Sequence, residues 1–164
     1  MTPNIQPEIF ISMVLSNWEL QNTRLDNLLD KLSDKQLGSE TAPGRNTGIY
    51  LLGHLTAIND AIIPILNLGN KLYPDLYAIF VDKPDKSEQE FPSVTTLKTY
   101  WKNVTQTLRQ HFNNMPVNEW FTRHMSVSEE DFAKEPHRNK LNIVINRTNH
   151  QSYHMGQLAY LQQQ

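Results

Sequence analysis

Apolar residues recur at helical spacing along four segments of the chain. Over residues 6 to 33, Phe10, Val14, Trp18, Leu25, Leu28 and Leu32 fall three or four positions apart, or at their sum. That pattern predicts one amphipathic helix, with Gln21 as a polar interruption of its stripe. From Asn46 to Leu68 the apolar face carries Leu51, Leu55, Ile58 and Ile62. Asn46 or Thr47 suits its start and Gly69 its end. Pro64 lacks a backbone donor, so a kink or an early stop is expected there.

A third helix is predicted after Pro92, capped by Ser93 and running to about Met115. Its stripe is Leu97, Trp101, Val104, Leu108 and Phe112. The fourth spans Asn139 to Gln163, with Leu141, Val144, Ile145, Met155, Leu158 and Leu161 directed inward. The connections "GNKLYPDLYAIFVDKPDKSEQEFP" and "PVNEWFTRHMSVSEEDFAKEPHR" are longer than bundle loops usually are. Both hold aromatic residues, so they are expected to pack on the helices. "FTRHMSVS" reads as a short extended piece. Trp120, Phe121 and Ile79 suit a core, a pocket wall or an interface equally. The architecture predicted is all-α, a four-helix bundle with two long inter-helix connections, in one domain over residues 1–164.

Composition narrows the chemistry. At 38% hydrophobic residues the chain can bury a core, and with no cysteine it has no thiolate ligand and no sulfur nucleophile of its own. Histidine and carboxylate remain as metal ligands. Fifteen basic and seventeen acidic residues give a net charge of −2 without any basic block, so nucleic acid is not an expected partner. The start, "MTPNIQPEIFISM", lacks the basic region and small-residue cleavage site of a signal peptide. The most apolar stretch, "IYLLGHLTAINDAIIPIL", is broken by His, Asn, Asp and Pro, which argues against a membrane span. A soluble cytoplasmic protein without membrane partners is expected.

The chain has six histidines. His150 and His154 lie four apart, so on a helix they are offset by roughly 40° and about 6 Å and project from one face. Such a pair either shares a cation or is an ordinary polar pair on a wet edge. Arg147 and Gln157, one turn before and after, extend the same polar edge. His54 lies among Leu51, Leu55 and Ile58 at the core boundary, where its ring nitrogens need partners. A backbone carbonyl, a hydroxyl or a metal would each serve. His111 can complement a helix C-terminus, while His124 and His137 read as exposed loop residues.

Gly53-His54 in the second helix, followed by His150, His154, Gly156 and Gln157 in the last, together with "FPSVTTLKTYWKNVTQTL" as the third helix, resembles the DinB-like family. The pattern is also similar to the YfiT-type metal-dependent hydrolases within that superfamily. The resemblance implies a divalent metal held by His54, His150 and His154, in a bacterial protein that forms homodimers. It further implies thiol S-transferase chemistry with an external low-molecular-weight thiol such as bacillithiol or mycothiol. No carboxylate is assigned as a fourth ligand.

Three imidazoles suit zinc or nickel first, then iron or manganese. They leave a position open for water or substrate. A cation there ionises a bound thiol, which then attacks an electrophilic small molecule, or it supplies metal-bound hydroxide for hydrolysis. The third alternative is a non-catalytic metal-binding or sensing module. Gln157 is a candidate to orient one of the ligating rings.

Overall fold

The computed structural model describes residues 6–163, so the first five residues of the stretch "MTPNIQPEIFISM" and Gln164 lie outside it. Helix α1 (Pro7–Lys31) has Pro7 in its first turn, where a missing N–H costs nothing, and Lys31 in its last. From Trp18 onward the predicted stripe is buried. Nearer the N-terminus the buried residue is Ile11, and Phe10 is exposed. Helical geometry explains the correction: a residue seven before Trp18 differs from it by about 20°, one eight before by about 80°. Gln21 lies buried inside the stripe.

A short helix, α2 (Asp34–Leu37), follows. Ser33 Oγ accepts from the Gln36 N–H and the Gln36 side chain accepts from the Ser33 N–H, a reciprocal cap. The signal "SDKQ" was present in the sequence and marks an element that hydrophobic periodicity is too coarse to register. Leu37 is thereby fully buried.

Thr47 caps α3 (Gly48–Asp60), its Oγ accepting from the Tyr50 N–H. The helix stops ahead of Pro64, and one further turn forms α4 (Ile62–Ile65). The terminator is Asn67 rather than Gly69. Asn67 adopts φ 60°, its N–H donates to Pro64, and the Leu68 N–H donates to Ile63 at 2.9 Å. This is a Schellman end, which asparagine tolerates. The stretch Gly48–Ile65 is long and apolar enough to cross a membrane, and 78% of it is buried inside the fold.

The first connection packs down as predicted. It forms α5 (Asp75–Phe80), which buries Leu76 and Phe80, and Ile79 packs beside them. The buried carboxylate of Asp60 accepts from the Leu72 and Tyr73 N–H groups, both at 2.8 Å. The Tyr50 hydroxyl donates to the Lys83 carbonyl at 2.8 Å. These bonds hold the connection along α3.

Helix α6 (Val94–Asn114) starts at Ser93, whose Oγ accepts from the Thr96 N–H, and buries all five predicted stripe residues. The second connection contains a 3-10 turn (Val117–Phe121) and α7 (Glu129–Lys134). Trp120 packs edge-on against Phe112, while Phe121 stays partly exposed. "FTRHMSVS" is not a strand; among the described residues only an isolated bridge, Arg123 to Asn139, forms there. The segment instead turns over the end of α4, with the Met125 N–H donating to the Ile65 carbonyl at 2.8 Å. That turn buries His124, predicted to be exposed, and its Nδ1 accepts from the Ser126 N–H.

Helix α8 (Lys140–Ala159) is capped by Asn139 and runs into a 3-10 turn, Tyr160–Gln163. The described chain is all-α, with no strand and with short helices beyond the four long ones predicted. Helix α1 packs along α8, and α3 packs on α5, α6 and α8. The core has two apolar clusters, one around Leu25, Leu55 and Trp101 and one around Trp18, Ile62 and Leu108. Each long helix also buries polar residues: Asn22, Asn59, Thr105, Thr148 and Gln151.

Candidate metal centre

Helices α3 and α8 pack side by side, and this brings the three predicted histidines together. Nε2 of His150 lies 3.2 Å from Nε2 of His54 and 3.1 Å from Nε2 of His154. One ligand nitrogen from each ring lies within 4.8 Å of the other two, all three rings being half-buried. Among the described residues no carboxylate joins this group.

The opposite ring edges of His54 and His154 fix the protonation of those two rings. Nδ1 of His54 is 2.8 Å from the carbonyl oxygen of Phe80, which can only accept, so that nitrogen carries the hydrogen. Nδ1 of His154 donates in the same way to Gln157 Oε1 at 2.6 Å. In the neutral rings both Nε2 atoms therefore present lone pairs, and both present them to His150. His150, whose Nδ1 is buried without a partner among the described residues, can donate from Nε2 to one of these lone pairs and leaves the other unmet, whereas a cation between the three rings would satisfy all of them. Two nitrogens bound to one zinc at its usual bond length in tetrahedral geometry would be about 3.4 Å apart. The observed spacing is close to that value, so the donor set fits a divalent cation.

Electrostatics agree. Burial, helped by the neighbouring His154 and His54 rings and by Arg147, lowers the pKa of His150 to about 4. Burial also lowers His54 and His154, against the raising effect of their bonds to Phe80 and Gln157. The three imidazoles are neutral bases at pH 7, the form that binds metal.

The sequence left His54 with a choice between a carbonyl and a metal. The structure gives one nitrogen the carbonyl and aims the other at the histidine pair. Phe80 is the supporting residue that sequence reasoning missed. Its signal was Gly53: a Cβ there would come within 2.4 Å of the Phe80 ring. The glycine lets α5 approach closely enough for its carbonyl to reach the next residue. Tyr50 lies parallel to the His54 ring at 6.3 Å, and exposed Tyr153 meets His154 edge-on. His137 is exposed, and neither it, His111 nor His124 joins the cluster.

Fold and site together define a helical protein with a three-histidine centre able to hold a divalent metal. The DinB superfamily model matches residues 17–158, a span that includes all three histidines, and the chain belongs to that superfamily. A crystal structure of a conserved protein from Enterococcus faecalis is similar over 92% of this chain and 94% of that one, with a TM-score of 0.65 and 14% identity. That likeness concerns the fold. No curated protein matches the chain.

Proposed function

We propose that His54, His150 and His154 hold one divalent cation, zinc or nickel ahead of iron or manganese, and that the protein is a metal-dependent enzyme acting on small molecules. The reaction class proposed is S-transfer from an external low-molecular-weight thiol. The observation that carries this reading is the convergence of three Nε2 atoms whose opposite edges are held by Phe80 and Gln157. In the same reading the chain is one DinB-like domain whose four long helices are the bundle.

A divalent cation with three protein ligands supplies Lewis acidity at its open position, lowering the pKa of a thiol or water there toward neutrality. The chain's own residues do the rest. The Phe80 carbonyl holds His54 in the Nδ1–H tautomer and keeps Nε2 directed at the site. Gln157 does the same for His154 from within α8. Burial keeps all three rings unprotonated. With no cysteine in the chain, the reacting sulfur comes with the cosubstrate, which favours transfer over a protein-thiol mechanism.

Elemental analysis tests the site: about one divalent metal per chain in the wild type, and little in His54→Ala or His150→Ala. Metal retained by both variants refutes the assignment. Calorimetric titration with bacillithiol and mycothiol tests the reaction class. Binding that disappears with the metal supports transfer; metal without thiol binding moves the reading to hydrolysis or to a non-catalytic module.

A further inference from the structure

We propose that Arg147 receives a carboxylate of the small molecule that reacts at the three-histidine centre, so that the site selects anionic over neutral ligands. The inference rests on the proposed function and names the charge class of its ligand. Arg147 lies one turn before His150 on α8. Seven residues separate it from His154, which places both on the same face within about 20°. Its charge reaches both His54 and His150.

Among the described residues, what sets this arginine apart is the lack of a counter-charge. Each other half-buried arginine has a carboxylate: Arg109 binds Glu19 through two nitrogens at 2.8 and 2.9 Å, Arg123 pairs with Glu129, and Arg138 with Glu135. Arg147 is half-buried, and its Nε is a fully buried donor with no acceptor. A guanidinium does not shed its proton, so the charge persists. Leaving that N–H unpaired away from water is costly.

The position compounds that cost. A free cation beside three imidazoles poised for a divalent metal repels the metal it borders. An anion placed between them relieves both problems at once, and the planar fork of arginine suits a carboxylate through two parallel hydrogen bonds. Tyr77, whose influence on Arg147 opposes that of burial, carries a second cation on its ring, Lys71 Nζ at 3.9 Å from the centroid.

The carboxylate can belong to the thiol or to its electrophilic partner, and two probe pairs separate these sources. The first is 3-mercaptopropionate against 3-mercaptopropionamide; the second is sulfur-free propionate against propionamide. Affinities are measured on the metal-loaded protein and on Arg147→Lys and Arg147→Gln, with circular dichroism confirming that each variant folds. The Arg147 Nε–H resonance, identified by its absence from the Arg147→Gln spectrum, gives a second readout on the protein as purified.

The wild type is expected to prefer the anionic member of at least one pair by about tenfold or more. Arg147→Gln should bring the two members to within about twofold, with Arg147→Lys between, and the anion should shift the Arg147 Nε–H resonance. A preference confined to the mercapto pair assigns the carboxylate to the thiol. A preference for propionate in a protein that binds neither thiol assigns it to the other reactant and overturns the S-transfer reading alone. No preference in either pair, no binding of any probe, or a preference that survives in Arg147→Gln overturns the proposal. Thiol binding that is metal-dependent but indifferent to Arg147 overturns it while leaving the proposed function standing.

Discussion

The carbonyl oxygen of Phe80 lies 2.8 Å from Nδ1 of His54, so a residue from a connecting segment sets the tautomer of a residue on α3. The same phenylalanine is fully buried, and its ring occupies the space a side chain at position 53 would need. Packing and protonation at this edge of the site are therefore one problem. Gly53→Ala must displace the ring and with it the carbonyl. We predict a loss of about 1–3 kcal/mol in stability, the cost of overpacking, together with weaker metal retention. Denaturant unfolding and elemental analysis check the two effects. An alanine variant as stable and as metal-rich as the wild type contradicts the account.

The amide of Gln151 donates to Asn22 Oδ1 at 3.0 Å across the α1–α8 interface. Asn22 Nδ2 and Gln151 Oε1 are buried without partners among the described residues. A partly satisfied polar pair specifies register more than it stabilises. Gln151→Leu leaves Asn22 wholly unpaired and should cost about 1–3 kcal/mol. Adding Asn22→Leu should recover much of that loss. Additive losses in the double-mutant cycle would show that the pair is not coupled.

In the metal-free protein the three ligand histidines have folded pKa values below the ordinary 6.5, at about 4 for His150. Between those values the unfolded chain binds protons that the folded chain refuses. Stability therefore rises with pH across that window and levels off above it. The Tm of chelated protein should fall from pH 7 to pH 4.5, and fall less in His150→Asn. Added metal should raise Tm near neutrality and lose that effect in acid, because protons compete for the same nitrogens. Melting curves at matched pH for both proteins check the sign; parallel profiles would remove His150 as a source.

Gly156 belongs to the histidine motif of α8, yet a Cβ at that position meets nothing within 4 Å. Within this chain the residue carries only the helix penalty of glycine. Gly156→Ala should stabilise by about 0.5–1 kcal/mol. A thermal melt decides it, and a lower Tm would mean that another surface closes on that face.

What the sequence determined was local. The stripe on α6, the caps at Thr47, Ser93 and Asn139 and the break before Pro64 follow from backbone geometry within a few residues, so spacing alone exposed them; on α8 Leu141, Val144 and Leu158 are buried as expected, while Ile145 and Met155 are half-buried. The shared face of His150 and His154 follows for the same reason. Two expectations failed for local reasons as well: helical geometry from Trp18 buries Ile11 rather than Phe10, and the left-handed Asn67 ends the helix before Gly69 is reached. Tertiary structure alone decided how α3 lies on α8, and hence that His54 meets the pair. It also decided that Phe80 reaches back from a connection to orient His54, that His124 is covered, and that Arg147 has no carboxylate partner among the described residues. These depend on contacts between residues far apart in the chain, where the spacing along one helix says nothing about the position of another.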